Sequence, residues 1–301
     1  MSGSPPVWKL SSLLITGVLA IATASIFIRI AFRAVPQAGV GFSLVLAASR
    51  LTIAALCLLP AWRQVRLAQP YFQALPYALG AGTCLAVHFG TWITSLAYTS
   101  IAASTVIVTT NPVWVALLSW WLWREQPSRR TLLGIGIALS GGILITLGDA
   151  HGGAGSHPLF GDALALVGAW MASLYFLLGR EAQRRGLSIG SYAAIAYTTA
   201  ALLLLPLPLL ANTAYWPQPP IVYICIILMA ILSQVIGHTS CNWAVRWISP
   251  TVVALALLLE PVGASLLAWM IFQEVPGPLV FIGAMILLLG IAIAILGQHS
   301  E

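Results

Sequence analysis

Apolar runs of membrane-spanning length, broken at short intervals by proline, glycine and clustered arginine, predict helices near residues 10–32, 40–62, 71–95, 100–122, 129–148, 158–180, 189–210, 219–243, 250–272 and 277–297. Residues 67–123 and 186–245 contain no Asp, Glu, Lys or Arg, which gives charge-free stretches of 57 and 60 residues. The surface of a water-soluble domain must meet water, so it does not keep such lengths free of charge; a chain that crosses lipid repeatedly does. At about 20 residues per span, ten spans use most of the chain and leave no room for a soluble domain. The runs are long and uniformly apolar, not short and alternating, which argues against a transmembrane barrel.

Composition supports this assignment. The chain is 60% hydrophobic and 7% charged, with a mean hydropathy of +0.96 and 12 tryptophans. Its net charge of +6 does not imply a nucleic-acid partner, because 12 of the 13 basic residues are scattered in ones to threes at span ends and the other, Arg50, lies within a span. With the N-terminus inside, Lys9, Arg63, Arg66, Arg124, Arg129, Arg130, Arg180, Arg184, Arg185 and Arg246 all fall at internal ends, so both termini are expected in the cytoplasm. Ala22-Thr23-Ala24 resembles a signal-peptide cleavage site, but apolar sequence continues to Arg29, and the first run reads as a retained helix. Cys57, Cys84, Cys225 and Cys241 lie in apolar segments without metal-site spacing, which assigns them to packing; no metal and no cofactor are expected.

The sequence repeats. At an offset of 149, Pro112 matches Pro261, Trp120 matches Trp269, Glu125 matches Glu274, Pro127 matches Pro276, Gly134 matches Gly283 and Gly141 matches Gly290. Upstream the offset slips to 147 for Gly90/Gly237 and Ala97/Ala244, and to 148 for Ser25/Ser173 and Pro60/Pro208. The expected organisation is residues 1–150 as one five-helix repeat and 151–301 as the second. An odd number of helices per repeat makes the second insert in the opposite sense to the first, an architecture suited to transporters that alternate between two open states.

Polar residues inside the spans are the candidate chemistry. Pro112 and Pro261 are expected to kink their helices and free the carbonyls of Val108 and Leu257, beside Thr109-Thr110-Asn111 in one half and Glu260 in the other. Glu260 is the carboxylate placed deep in a span, the others being at helix ends. Two readings of it stand: a proton- or ammonium-exchanging group, or a structural partner of the deep Arg50, or of a Trp or His. Cys84, His88, Thr91, Trp92 and Ser95 form a polar face on span three, as do Gln234, His238 and Asn242 on span eight. Trp170, Ser173 and Tyr175 on span six, with Thr23, Ser25 and Phe27 on span one, add aromatic and hydroxyl groups. The structural alternative for every one of these is satisfied helix packing. Asp162, before an apolar run, reads as a helix N-cap. The glycine-rich segment 148–161, with His151 and His157, reads as a flexible connection between the halves.

Together, the segment from Gly161-Asp162 through Trp170, Tyr175 and Arg180, the Leu259-Glu260-Pro261 triplet, and the run from Pro112 through Trp120, Glu125, Gly134 and Gly141 with its second copy resemble the drug/metabolite transporter superfamily in its EamA-type branch. The resemblance covers nearly the whole chain. It implies an all-α integral membrane protein of ten helices in two repeats, in the inner membrane. Members export amino acids, purines, drugs or other metabolites. Within the branch, the chain is similar to YddG-like bacterial amino-acid exporters. Those that prefer aromatic amino acids carry an aromatic residue where this chain has Asn111, so the resemblance implies a broader amino-acid range.

The expected function is export of amino acids, aromatic or broad in range, or similar small metabolites, by alternating access. The expected substrate-binding set is His88, Trp92, Asn111, Trp170, Tyr175, Gln234, His238 and Glu260. The alternatives are a purine or multidrug exporter, a channel or purely structural bundle, and an intramembrane enzyme using His88 or His238. The chain lacks HExxH and Gly-x-Ser-Gly, which argues against the familiar intramembrane enzymes. The partners expected are a small-molecule substrate and the bilayer; the sequence does not indicate an oligomeric state.

Overall fold

The structure, a computed structural model, describes residues 5–35, 39–65, 71–95, 98–99, 104, 107–108, 110–148, 157–273 and 277–298. Thr109, Asp149, His151, Glu274 and Pro276, most of the first part of the expected fourth span and the linker residues 149–156 lie outside the described residues. All regular structure among the described residues is helical: α1 Val7–Ala34, α2 Val40–Cys57, α3 Tyr71–Ser95, α4 Asn111–Trp123, α5 Arg129–Gly148, α6 Pro158–Arg184, α7 Ile189–Leu204, α8 Pro220–Ala244, α9 Pro250–Phe272 and α10 Pro278–Gln298. Six of these, α1, α2, α6, α7 with its continuation to Leu210, α8 and α9, are long and apolar enough to cross a bilayer.

Local sequence sets the helix ends. Ser188 and Ser249 cap α7 and α9, each hydroxyl accepting from the backbone N–H three residues on, at 3.1 and 3.3 Å. Pro220 and Pro250 occupy first-turn positions where no N–H is missed. Gly186, at φ 105°, turns the chain out of α6, and Leu187 N–H then closes on the Ala182 carbonyl at 3.2 Å. The helix α9 breaks at Leu258–Leu259 and restarts at Glu260, with Pro261 its second residue. In the other half α4 begins at Asn111, with Pro112 second. The two restarted helices also end alike: Arg124 and Gln273, 149 residues apart, both take the left-handed conformation, at φ 60° and 57°.

Asp162 does not cap α6. The helix starts four residues earlier, after His157, because Pro158 is preset for a first turn, and Asp162 lies within the helix, accepting from Thr99 Oγ1 at 2.8 Å.

The halves interleave. Helix α3 packs on α6 and α7, α2 on α7 and α8, and α1 on α8 and α9, so the main core lies between residues of both halves. A second core joins α4, α5, α9 and α10. There Gly134 faces Gly290 and Ala294 while Gly141 faces Gly283 and Leu287, so α5 and α10 run antiparallel. Exchanging each residue for its partner at offset 149 turns the Gly141 contact with Gly283 and Leu287 into the observed Gly290 contact with Gly134 and Ala138.

Candidate functional site

The polar faces of α3 and α8 meet in the interior, on either side of Phe89. Over its ring lies the guanidinium of Arg50, 4.2 Å from the centroid, brought in by α2. His88 and His238 pack against the same ring at centroid distances of 4.7 and 5.6 Å. Trp92 stacks on His88 at 5.8 Å and 7°, and Tyr175 from α6 meets His238 at 6.3 Å. An i, i+4 spacing on α3 puts His88 and Trp92 on one face. On α8 the residues Met229–His238 form a π-helix, a wider turn that aims Ser233, Gln234 and His238 inward together.

The hydrogen bonds fix this cluster only in part. Arg50 Nη2 donates to Gln234 Oε1 at 2.8 Å and to Ser233 Oγ at 3.3 Å. His88 Nδ1 donates to the Gly168 carbonyl at 2.9 Å, and Asn242 Nδ2 to Tyr175 Oη at 2.5 Å. Tyr197 bridges the Gln234 carbonyl and Thr239. Nine buried side-chain polar atoms among the described residues have no hydrogen-bond partner. Six of them are on residues of this cluster, Arg50 Nε and Nη1, Trp92 Nε1, Gln234 Nε2, His238 Nδ1 and Asn242 Oδ1, and Gln183 adjoins it through a hydrogen bond to the Asn242 carbonyl. A dry structural core satisfies its polar atoms, so this concentration sets the region apart from ordinary helix packing.

Of the residues expected from sequence, His88, Trp92, Tyr175, Gln234 and His238 form the connected cluster. Glu260, partly buried at the restart of α9, shares an electrostatic field with Arg50, yet no ion pair joins them among the described residues. Asn111 lies beside the cluster, its carbonyl accepting from Ser173 Oγ at 3.4 Å. Trp170 is 38% exposed and packs edge-on against Trp114. Sequence reasoning left Phe89, Arg50, Tyr197 and Ser233 out of the binding set. Of these, Arg50 carried a signal, as a lone charge in an apolar run. A groove of about 290 Å³ lined by Thr52, Ile53, Leu205, Tyr223 and Ile226 is apolar and lies on the flank of the bundle, away from this chemistry.

Charged side chains make further contacts near the ends of the bundle. Beyond α4, Glu125 accepts from Arg180 Nη1 with both oxygens, at 2.9 and 2.7 Å, and from Ser119 Oγ at 2.9 Å, with Arg184 at 3.9 Å. In the other half, Arg29 and Arg33 lie over the Phe272 ring at 4.8 and 4.9 Å; Phe272 stands 149 residues after Trp123. Burial opposes ionisation of Glu125, but the hydrogen bonds and charge of Arg180, aided by Ser119 and Arg184, outweigh it and hold the carboxyl below its usual range. A carboxyl lowered on folding stabilises above its unfolded pKa, and that contribution disappears as pH falls through the folded value. The pair is partly exposed, so Glu125→Gln should cost no more than about 1 kcal/mol at pH 7. Thermal unfolding at pH 7 and pH 4 should show the variant and the parent converging at low pH; a gap that widens on acidification would contradict this account.

Comparison with known proteins follows the same lines. The sequence profile described as the EamA-like transporter family matches twice, at residues 8–147 and 159–296. An uncharacterized transporter of Archaeoglobus fulgidus is 25% identical over 68% of this chain and 71% of its own length. A protein of Streptantibioticus cattleyicolor described as a probable terminal-alkyne amino-acid exporter is 25% identical over 85% of this chain and 86% of its own. A solved crystal structure superposes with a TM-score of 0.78 at 19% identity, covering 98% of this chain and 99% of the other, which is a likeness of fold. With the family profile on both halves and apolar helices of spanning length, the chain belongs to the EamA-like transporter family and is an integral membrane protein.

Proposed function

We propose that the protein exports amino acids or similar small metabolites across the inner membrane by alternating access. In this reading the chain crosses the bilayer ten times, as inverted five-helix repeats at 1–150 and 151–301, with both termini in the cytoplasm. The antiparallel α5–α10 contact and its reciprocity at offset 149 support the inversion. The distribution of basic residues supports the orientation. The residues lining the path are His88, Trp92, Asn111, Trp170, Tyr175, Gln234, His238 and Glu260.

The observation that carries the proposal is the cluster of unpartnered polar atoms buried between the halves. A solute held there would exchange its hydration shell for these groups. The Glu125 clasp and the Arg29/Arg33–Phe272 contact stand at the ends of α4 and α9, where alternating access calls for contacts that can open and close. The relative described as an amino-acid exporter supports amino acids as the substrate class. The test is a competition screen of amino acids, purines and cationic drugs against saturable flux in vesicles reconstituted with the purified protein. Saturable amino-acid flux is the expected result. Saturable flux of purines or drugs alone would select the other exporter reading, and unsaturable flux would make the protein a channel.

A further inference from the structure

We propose that Arg50 and Glu260 form a clamp for the two charges of an α-amino acid, with the guanidinium taking the carboxylate and Glu260 the ammonium. The inference rests on the exporter reading and deepens it. Arg50 is 1% exposed, yet only one of its three nitrogens is hydrogen-bonded, and both partners, Ser233 and Gln234, are neutral. A buried guanidinium calls for a carboxylate; the N–H groups of Nε and Nη1, which lie on different edges of the guanidinium, are the unpartnered donors it can bind. Phe89 covers one face of the guanidinium, which leaves its edge for the anion.

The protein carboxylate whose field reaches Arg50 is that of Glu260, and it does not close onto the guanidinium. A structural ion pair at this depth would collapse to contact, because separated charges in a low-dielectric interior are costly. Two opposite charges held near each other but apart match a ligand that carries both, and in an α-amino acid a single carbon separates them. Gln234 Nε2 and His238 Nδ1, both unpartnered, are further polar groups beside the guanidinium. The aromatic rings of Phe89, Trp92 and Tyr175 offer apolar surface to a side chain of varied shape.

The test measures the thermal stabilisation of the purified full-length protein by L-leucine, L-phenylalanine and L-threonine, each beside its decarboxylated amine and its deaminated acid. At least one amino acid should bind about ten- to hundredfold more tightly than either of its analogues. In Arg50→Gln the affinity for that amino acid should fall to the level of the amine, whose own affinity stays unchanged. In Glu260→Gln it should fall to the level of the acid. Arg50→Lys, which keeps the charge and loses the Nε and Nη1 donors, should be intermediate, and it serves if Arg50→Gln does not fold. Analogues that bind as well as the amino acid, or a loss in Arg50→Gln and Arg50→Lys that is equal for amino acid and amine, would overturn the clamp. Saturable amino-acid flux in the vesicle screen alongside that result would leave the exporter reading standing, whereas its absence there would remove the exporter reading itself.

Discussion

Gly141→Leu is expected to lose most of its folded, monodisperse protein, with Gly290→Leu failing in the same way and Gly136→Leu behaving as the parent. In lipid, helices gain little from apolar contact alone and associate through close packing, which small residues permit. At Gly141 an added Cβ would run into the backbone of Leu287 and the carbonyl of Gly283; at Gly290 it would run into the backbone of Ala138 and the carbonyl of Gly134. Backbone cannot move aside as a flexible side chain can, so the helices must separate. Overpacking of this kind costs about 1–3 kcal/mol even where side chains absorb the strain. Gly136 is on the same helix with nothing within 4 Å of its added Cβ, so it controls for helix propensity and hydropathy. The measurement is folded yield and melting temperature in detergent by size-exclusion chromatography. Equal behaviour at 141 and 136 would remove α5–α10 packing as one of the junctions between the two halves.

Much of this architecture was visible in the chain itself, because lipid imposes strong rules on sequence. The apolar runs located the six helices long enough to span a bilayer, and the 149-residue offset singled out Gly134, Gly141 and their copies, although not which glycine faces which. The site was visible where polarity breaks the lipid rule, as with His88, Gln234 and His238. It was invisible where a central residue is apolar: Phe89 reads like any lipid-facing aromatic, and its position at the centre is a tertiary fact. The π-helix at Met229–His238 was equally hidden, since side-chain pattern separates turns of 3.6 residues from slightly wider ones poorly. Asp162 misled because a polar residue before an apolar run looks like a cap, whereas Pro158 had already begun the helix and Thr99 had claimed the carboxylate. Trp170 packs on Trp114 and is partly exposed, because a five-residue separation on α6 sets it about 140° around the helix from Tyr175, toward α4.

On the exporter reading, with Glu260 as the proton-exchanging group, Glu260→Gln should abolish the dependence of amino-acid export on a pH gradient. A carboxylate in the interior can hold a proton or a substrate ammonium, but not both at once. Competition for one group is sufficient to couple the two flows in opposite directions: the amino acid leaving Glu260 on the outer side makes room for a proton, and substrate arriving from the cytoplasm displaces that proton inward. At a gradient of one pH unit, one obligatory proton supports about tenfold accumulation, because one pH unit corresponds to about 1.4 kcal/mol. Glutamine keeps the size and a hydrogen-bonding carbonyl but does not exchange a proton in this range. Flux through the variant should therefore be reduced, through the lost ammonium partner, and whatever remains should run only down the substrate's own gradient. The reading comes from vesicles in which internal and external pH are set independently while labelled amino acid is followed. Arg50 does not titrate under these conditions, so Arg50→Lys should keep the pH-gradient dependence at a lower affinity. Full retention of that dependence in Glu260→Gln would move the coupling group elsewhere and leave Glu260 as an ammonium site alone.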